Sequence, residues 1–102
     1  MSMSQTRRQD LVTRIVDGEI IILDRAAGRV HQLNRTASYI WNVCEGRSAS
    51  EIATEMAARF DVIPDMVLND VQTTLSDFRR FGLFLDARGE ATQGAREVNN
   101  EQ

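Results

Sequence analysis

The hydrophobic pattern of this 102-residue chain changes its period once, at Asn34, and this change constrains the fold more than any other feature. Before Asn34, apolar and β-branched residues form three short runs separated by turn residues, a pattern typical of β-strands. The pair Asp17-Gly18 between the first two runs predicts a tight hairpin, because a two-residue turn of this kind needs positive φ at both positions. The runs predict an antiparallel meander, with strand three on an edge, over residues 11–16, 19–24 and 29–33.

After Asn34, which is a favourable N-cap, apolar residues recur every three or four positions, and this spacing indicates helices. Three strands followed by three helices predict an α+β fold, and the short helices joined by a tight turn give the outline of a winged helix-turn-helix. The start and stop signals of the helices are Asn34 and Gly46 for the first, the capping box Ser48-Ala49-Ser50-Glu51 for the second, and Pro64 and Gly82 for the third.

The length of the chain suits one domain, which we place at residues 11–86. Within it, Leu83-Phe84-Leu85 is expected to return to the core after the third helix. Residues 1–10 are polar and are expected to be a flexible N-terminus. Residues 87–102 are polar, contain glycine and include one isolated apolar residue, Val98, so we expect a disordered tail there.

The chemistry-bearing residues are too few to predict an enzyme. Cys44 is the single cysteine and His31 the single histidine, so neither an internal disulfide nor a metal site of these residues can form. A Cys–His pair is the one catalytic arrangement left, but no third group that would orient it is suggested. The simpler interpretation of Cys44 is a small buried residue on a helix. We therefore expect no catalytic residue, no metal and no cofactor.

The charge distribution argues against nucleic acid as a partner. All twelve basic residues are arginines, the net charge is −3, and the charges are mixed along the chain, whereas phosphate binding needs a clustered positive face. A winged-helix DNA-binding regulator is the alternative function. It is disfavoured because Arg79 and Arg80 lie only at the end of the third helix, which also carries Asp65, Asp70 and Asp77.

The longest apolar run, residues 20–23, is too short to cross a membrane, and the N-terminal residues lack the apolar stretch of a signal peptide. These two observations predict a cytoplasmic protein with no membrane partner.

Residues 17–85 carry a set of short motifs whose order and spacing resemble the PqqD-like family: Gly28-Arg29-Val30-His31-Gln32-Leu33-Asn34, Thr36-Ala37, Ile40-Trp41, Glu45-Gly46, Ser50-Glu51-Ile52-Ala53, Asp70-Val71, Leu75 and Phe81-Gly82-Leu83. The details are more similar to stand-alone members of other peptide pathways, including lasso-peptide pathways, than to the member that serves pyrroloquinoline quinone synthesis.

The resemblance implies a non-catalytic winged-helix module that binds the leader segment of a ribosomally made precursor peptide. It implies that the leader adds as an extra strand to the edge of strand three, with its side chains in the cleft against the third helix. It also implies a second partner, a maturation enzyme such as a radical-SAM protein or a leader peptidase.

The residues themselves favour strand addition. Residues 29–33 contain no proline or lysine, and Arg29 is the only charge that could discourage pairing at this edge. The same edge could pair with a second copy of the chain, so a homodimer is a further expectation. The predicted peptide-binding residues are Arg29, Val30, His31, Gln32 and Leu33 on strand three, and Val67, Asp70, Val71, Thr74, Asp77, Phe78 and Phe81 along one side of the third helix.

Each of these side chains also has an ordinary interpretation. Val71 and Phe78 fit a plain core stripe, with or without a second role as a wall of the cleft. Asp70 and Asp77 fit either a solvated helix face or partners for basic leader residues, and His31 fits an unremarkable strand position.

Overall fold

The computed structural model describes residues 5–92, and its sheet is the predicted antiparallel meander. Val16 pairs with Glu19 across the first turn, where Asp17 and Gly18 have φ values of 54° and 81°. The predicted hairpin is therefore confirmed. The strands lie in the order β1-β2-β3, with β3 on an edge, and they are β1 (Val12–Val16), β2 (Glu19–Asp24) and β3 (Arg29–Gln32).

Three helices follow the sheet, so the predicted α+β fold is confirmed: α1 (Arg35–Val43), α2 (Ala49–Phe60) and α3 (Pro64–Arg80). Their N-termini form as the local sequence predicts. The Asn34 side chain accepts a hydrogen bond from the Ala37 amide at 2.8 Å. At α2, the Ser48 hydroxyl accepts from the Glu51 amide at 3.2 Å, and the Glu51 carboxylate accepts from the Ser48 amide at 2.8 Å. Each cap satisfies amides that the helix itself leaves unpaired.

The core lies between the inner face of the sheet and the helices, with an aromatic cluster among the side chains that fill it. The Trp41 ring centroid is 5.2 Å from that of Phe78 and 6.0 Å from that of Phe84. Cys44 is fully buried beside this cluster, and its thiol donates to the Trp41 carbonyl oxygen at 3.4 Å. Burial raises the pKa of Cys44 to about 12, so the sulfur remains a neutral thiol, as expected for a packing residue.

The N-terminal segment, residues 1–10, was predicted from the sequence to be flexible. Residues 1–4 lie outside the described residues, but residues 5–8 run alongside residues 83–85. The Arg8 amide donates to the Leu83 carbonyl at 3.0 Å, and the Leu85 amide donates to the Thr6 carbonyl at 2.8 Å. The sequence analysis did not anticipate these contacts, because the partners are backbone groups far along the chain, which polar side chains do not reveal.

The C-terminal segment also makes contacts that the sequence did not predict, beyond residue 86, where we placed the end of the domain. Leu85 forms a β-bridge with Ala91, and the Thr92 amide donates to the Phe84 carbonyl at 2.8 Å. The Asp86 carboxylate closes the turn by accepting from the amides of Arg88 and Glu90 at 2.8 and 3.1 Å. Residues 84–92 thus form a small hairpin, and the predicted tail at residues 93–102 lies outside the described residues. No helix within residues 5–92 is long and apolar enough to cross a membrane.

Candidate functional site

The outer edge of β3 is the first element of the candidate site. In the sheet order β1-β2-β3, β3 pairs with β2 on one side, and no other segment of residues 5–92 pairs with its outer side. The Leu33 amide donates to the Ile20 carbonyl at 2.8 Å, which fixes the alternation of hydrogen bonds along the strand. Because alternate residues of an antiparallel pair bond to their partner, the backbone groups of Val30 and Gln32 point away from β2. Two amides and two carbonyls are therefore available at this edge.

The side chains of β3 divide between the two faces of the sheet. His31 pairs with the buried Ile22 and shares its face, toward the helices, and Leu33 on the same face is 5% exposed. Val30 and Gln32 lie on the opposite, outer face, where Val30 is 66% exposed. The predicted strand residues therefore have two roles, since Val30 and Gln32 can offer only their backbone to a cleft against α3. Arg29 is exposed at the first position of the strand.

The predicted residues of α3 also divide, by burial. Val71 and Phe78 are buried, with 0% and 2% exposure, and belong to the core. The other five predicted residues lie on the side of the helix next to that core, which we call the shoulder of α3. Four of them are half-buried, namely Val67, Thr74, Asp77 and Phe81, and Asp70 is exposed.

The two walls of the predicted cleft meet at one end through an aromatic contact. Phe81 caps the C-terminus of α3, and its ring stacks on His31 of β3 with ring centroids 4.9 Å apart and planes 24° apart. The Arg80 guanidinium lies 5.3 Å from the Phe81 ring centroid and also bonds Asp77 at 2.8 Å. Asp77 therefore already has a cationic neighbour, whereas Asp70 forms no ion pair with any of the residues 5–92.

His31 has an unusual environment for a strand residue. Its Nε2 atom is buried and has no hydrogen-bond partner among the described residues. Burial lowers the pKa of His31 below its ordinary value, the negative charge of Asp24 partly opposes this, and the positive charge of Arg29 adds to it. The ring that stacks on Phe81 is therefore neutral at pH 7. A buried nitrogen without a partner costs free energy, so His31 stays a candidate site residue.

Two features escaped the sequence analysis. Large exposed apolar side chains surround the N-terminal end of α3, where Ile63 and Met66 are 62% and 65% exposed. The sequence did contain a signal for these exposed side chains, because both apolar residues fall outside the core stripe of α3. The second feature is Arg8, whose side chain pairs with Asp24 next to the turn that begins β3. No local pattern could have identified it, because 16 residues separate the two.

The largest described groove lies away from the β3–α3 side. A groove of about 470 Å³ follows the opposite shoulder of α3, where Leu68, Gln72 and Arg79 face the start of α2. No group of three His, Cys, Asp or Glu side chains that could hold a metal ion occurs within residues 5–92. The site therefore offers backbone hydrogen bonds, apolar contact and a few charges, which is the chemistry of a peptide-binding surface.

Comparison with known proteins identifies the family and the fold. A sequence profile described as "Coenzyme PQQ synthesis protein D (PqqD)" matches residues 19–83, which is more than half of the chain. A solved structure described as "TbiB1 in Complex with the TbiA(beta) Leader Peptide" has the same fold, with a TM-score of 0.68. Its sequence is 24% identical, and the alignment covers 78% of this chain and 93% of that one. No curated protein matches the sequence significantly. On the profile match, this chain belongs to the PqqD family.

Proposed function

We propose that this chain is a non-catalytic recognition element that binds the leader segment of a ribosomally made precursor peptide and presents it to a maturation enzyme. Membership of the PqqD family supports the proposal, and so does the shared fold of TbiB1, whose structure contains a leader peptide. The observation that carries it is the open edge of β3, where the backbone groups of Val30 and Gln32 point outward beside α3.

The sheet has a second open edge, on β1, and side-chain contacts favour β3 over it. A guest strand on β3 would lie between that strand and the shoulder of α3, next to the stacked rings of His31 and Phe81. On β1, Ile15 shares the inner face of the sheet and is nevertheless 71% exposed, so no helix covers that side. Backbone pairing alone does not distinguish the edges, and we favour β3 because the His31–Phe81 stack joins that strand to the end of a helix.

The guest would alternate its side chains between two environments. A strand added at a spacing of about 4.8 Å points every second side chain toward the helices and the others to the outer face of the sheet. The half-buried Val67, Thr74 and Phe81 are our proposed contacts on the helix side, and the exposed Asp70 would offer a negative charge to a basic leader residue. The outer-face side chains would stay accessible to the maturation enzyme, for which a radical-SAM protein or a leader peptidase is our proposal.

The DNA-binding alternative receives no support from the arginines of α3. The Arg79 guanidinium donates to the Gln5 side chain at 3.1 Å, and Arg80 pairs with Asp77 at 2.8 Å. Asp65 and Asp70 are exposed on the same helix and would repel phosphate.

Amide exchange measured by NMR tests the proposed edge directly. The probes are the TbiA(beta) leader peptide and, where a short reading frame lies beside this gene, a synthetic peptide of its N-terminal segment. We expect slower exchange of the Val30 and Gln32 amides when a leader binds. The matched internal control is the other free edge, where alternation directs the amides of Thr13 and Ile15 outward. Protection of Thr13 and Ile15 instead, or binding of peptide with no change at Val30 and Gln32, would refute strand addition to β3.

A further inference from the structure

Arg8 makes an unusually complete set of hydrogen bonds for a residue near the start of the chain. Its guanidinium donates to both Asp24 carboxylate oxygens at 2.8 and 3.0 Å, and to both Asp10 oxygens at 3.1 and 2.8 Å. A fifth bond runs to the Gly82 carbonyl oxygen at 3.0 Å. These bonds account for all five N–H donors of an arginine, and the side chain is only 9% exposed. A planar fork of this kind fixes its partners in position as well as neutralising them.

One partner, Asp24, controls the start of β3. Asp24 is the last residue of β2, its side chain is 1% exposed, and it pairs across the sheet with Arg29, the first residue of β3. The same carboxylate accepts a hydrogen bond from the Ala27 amide at 3.2 Å, and the Gly28 amide closes the turn on the Arg25 carbonyl at 3.2 Å. The position of the Asp24 carboxylate thus determines how the chain turns into the edge strand.

The other partner, Gly82, belongs to the opposite wall of the cleft. Gly82 directly follows Phe81, the C-cap of α3 whose ring stacks on His31 of β3. Arg8 therefore joins the turn before β3 to Gly82, and we call these hydrogen bonds of Arg8 to Asp24 and Gly82 the joint. The stacked rings of His31 and Phe81, which connect the two walls of the cleft, lie beside it. The Arg8 amide adds a further bond, to the Leu83 carbonyl at 3.0 Å. Arg8 itself precedes the matched residues 19–83, so the profile does not include it.

We propose that Arg8 is a positioning residue that sets the distance between β3 and the C-terminal end of α3, and through it the affinity for the guest strand. The role in affinity rests on the function proposed above, whereas the role in geometry does not. An edge strand binds a guest well only if the facing helix stands at the correct distance, because the guest's inward side chains must contact it while its backbone pairs. Arg8 acts on this distance without touching the guest.

The test compares Arg8→Lys with Arg7→Lys. Lysine keeps the positive charge at position 8, but its ammonium group has three rotatable N–H donors in place of the five fixed donors of a planar guanidinium. It therefore cannot hold Asp10, Asp24 and Gly82 in the same arrangement. Arg7 is the matched control, since it is the neighbouring arginine and bonds Glu45 and the Trp41 carbonyl instead. Asp24→Asn is a second variant that weakens the same joint with no change of side-chain shape, in case Arg8→Lys does not fold.

His31 supplies a readout that a merely stabilising residue would not move. It is the only histidine of the chain, so its ring protons are unambiguous in an NMR spectrum, and their shifts report the stacking on Phe81. In the protein without peptide, we expect Arg8→Lys to move the His31 ring signals toward those of free histidine and to speed exchange of the Ala27 amide. In the same folded variant we expect leader affinity to fall about tenfold. Arg7→Lys should change none of the three.

The outcomes separate the two proposals. If the wild-type protein binds no leader, the proposed function fails, and the His31 and Ala27 signals still decide whether Arg8 sets the geometry. If the wild type binds and a folded Arg8→Lys or Asp24→Asn variant binds equally well, Arg8 does not govern affinity and the inference is overturned. Unchanged His31 signals in both variants would overturn it as well, because the joint would then not control the stacking of the two walls.

Discussion

Replacing Gln32 by proline is the sharpest test of the open edge. The Gln32 backbone points away from β2, so the substitution removes a donor from the free edge and leaves the β2–β3 hydrogen bonds intact. The side chain is exposed on the outer face, where it donates to the Glu19 carboxylate at 3.3 Å, so no core contact is lost. Gln32→Pro is therefore expected to weaken binding of the guest strand and to preserve the β2–β3 hydrogen bonds and the packing of the core.

The expected size of the effect follows from the hydrogen bonds at this residue. A guest strand bonded to both the amide and the carbonyl of Gln32 would lose the first bond outright and the second through the bulk of the proline ring. Two backbone bonds at about 0.5–1.5 kcal/mol each correspond to a loss of about 1–3 kcal/mol of binding free energy. Affinity should therefore fall by roughly 5- to 150-fold.

Fluorescence anisotropy with a labelled leader peptide measures this loss, and Gln32→Ala is the matched control. Alanine also removes the side chain and the bond to Glu19 but keeps the backbone donor. Its affinity should stay within about twofold of wild type, as expected of a surface substitution. Circular dichroism and thermal denaturation establish that both variants are folded. If folded Gln32→Pro binds as tightly as Gln32→Ala, the guest does not pair with β3 at this residue and the reasoning is wrong.

Two further predictions concern stability. Because burial lowers the pKa of His31 below 6.5, the unfolded chain binds more protons than the folded chain at pH values between the two pKa values, and stability should fall as the pH drops through that window. His31→Phe, which keeps a ring against Phe81, should flatten this dependence in thermal denaturation between about pH 5 and pH 7.5, and an unchanged slope would show that His31 is not its source. Ser48→Ala removes the N-cap of α2 and should cost about 1 kcal/mol of unfolding free energy, seen as a drop of about 4–8 °C in melting temperature. An unchanged melting temperature would mean that the capping box does not stabilise α2 in solution.

The sequence predicted those features that depend on neighbours along the chain. The Asp17-Gly18 turn, the Asn34 cap and the Ser48–Glu51 capping box are local, and each forms as predicted. The core stripe of α3 through Val71 follows from helical spacing alone and is also confirmed. Local chemistry fixes such features because the groups that bond are only a few residues apart.

The parts that the sequence did not predict depend on distant partners. Arg8 bonds Asp24, 16 residues away, and Gly82, 74 residues away, and neither separation leaves a periodic signal. The same is true of the stacking between His31 and Phe81, although both residues were in the predicted site. Composition indicated that residues 5–10 are polar, and polarity could not distinguish a frayed segment from one that bonds to residues 83–85.

The alternation of β3 has a consequence for the sequence of any peptide that it accepts. If only the side chains facing α3 are read, a precursor would carry its recognition signal at every second residue, and the intervening positions would be free to diverge. A motif of that form would look weak in a conventional sequence search, because its informative positions are diluted by unconstrained ones. Scanning mutagenesis of a bound precursor should then show sensitive and tolerant positions in strict succession, with Val30 and Gln32 marking the register.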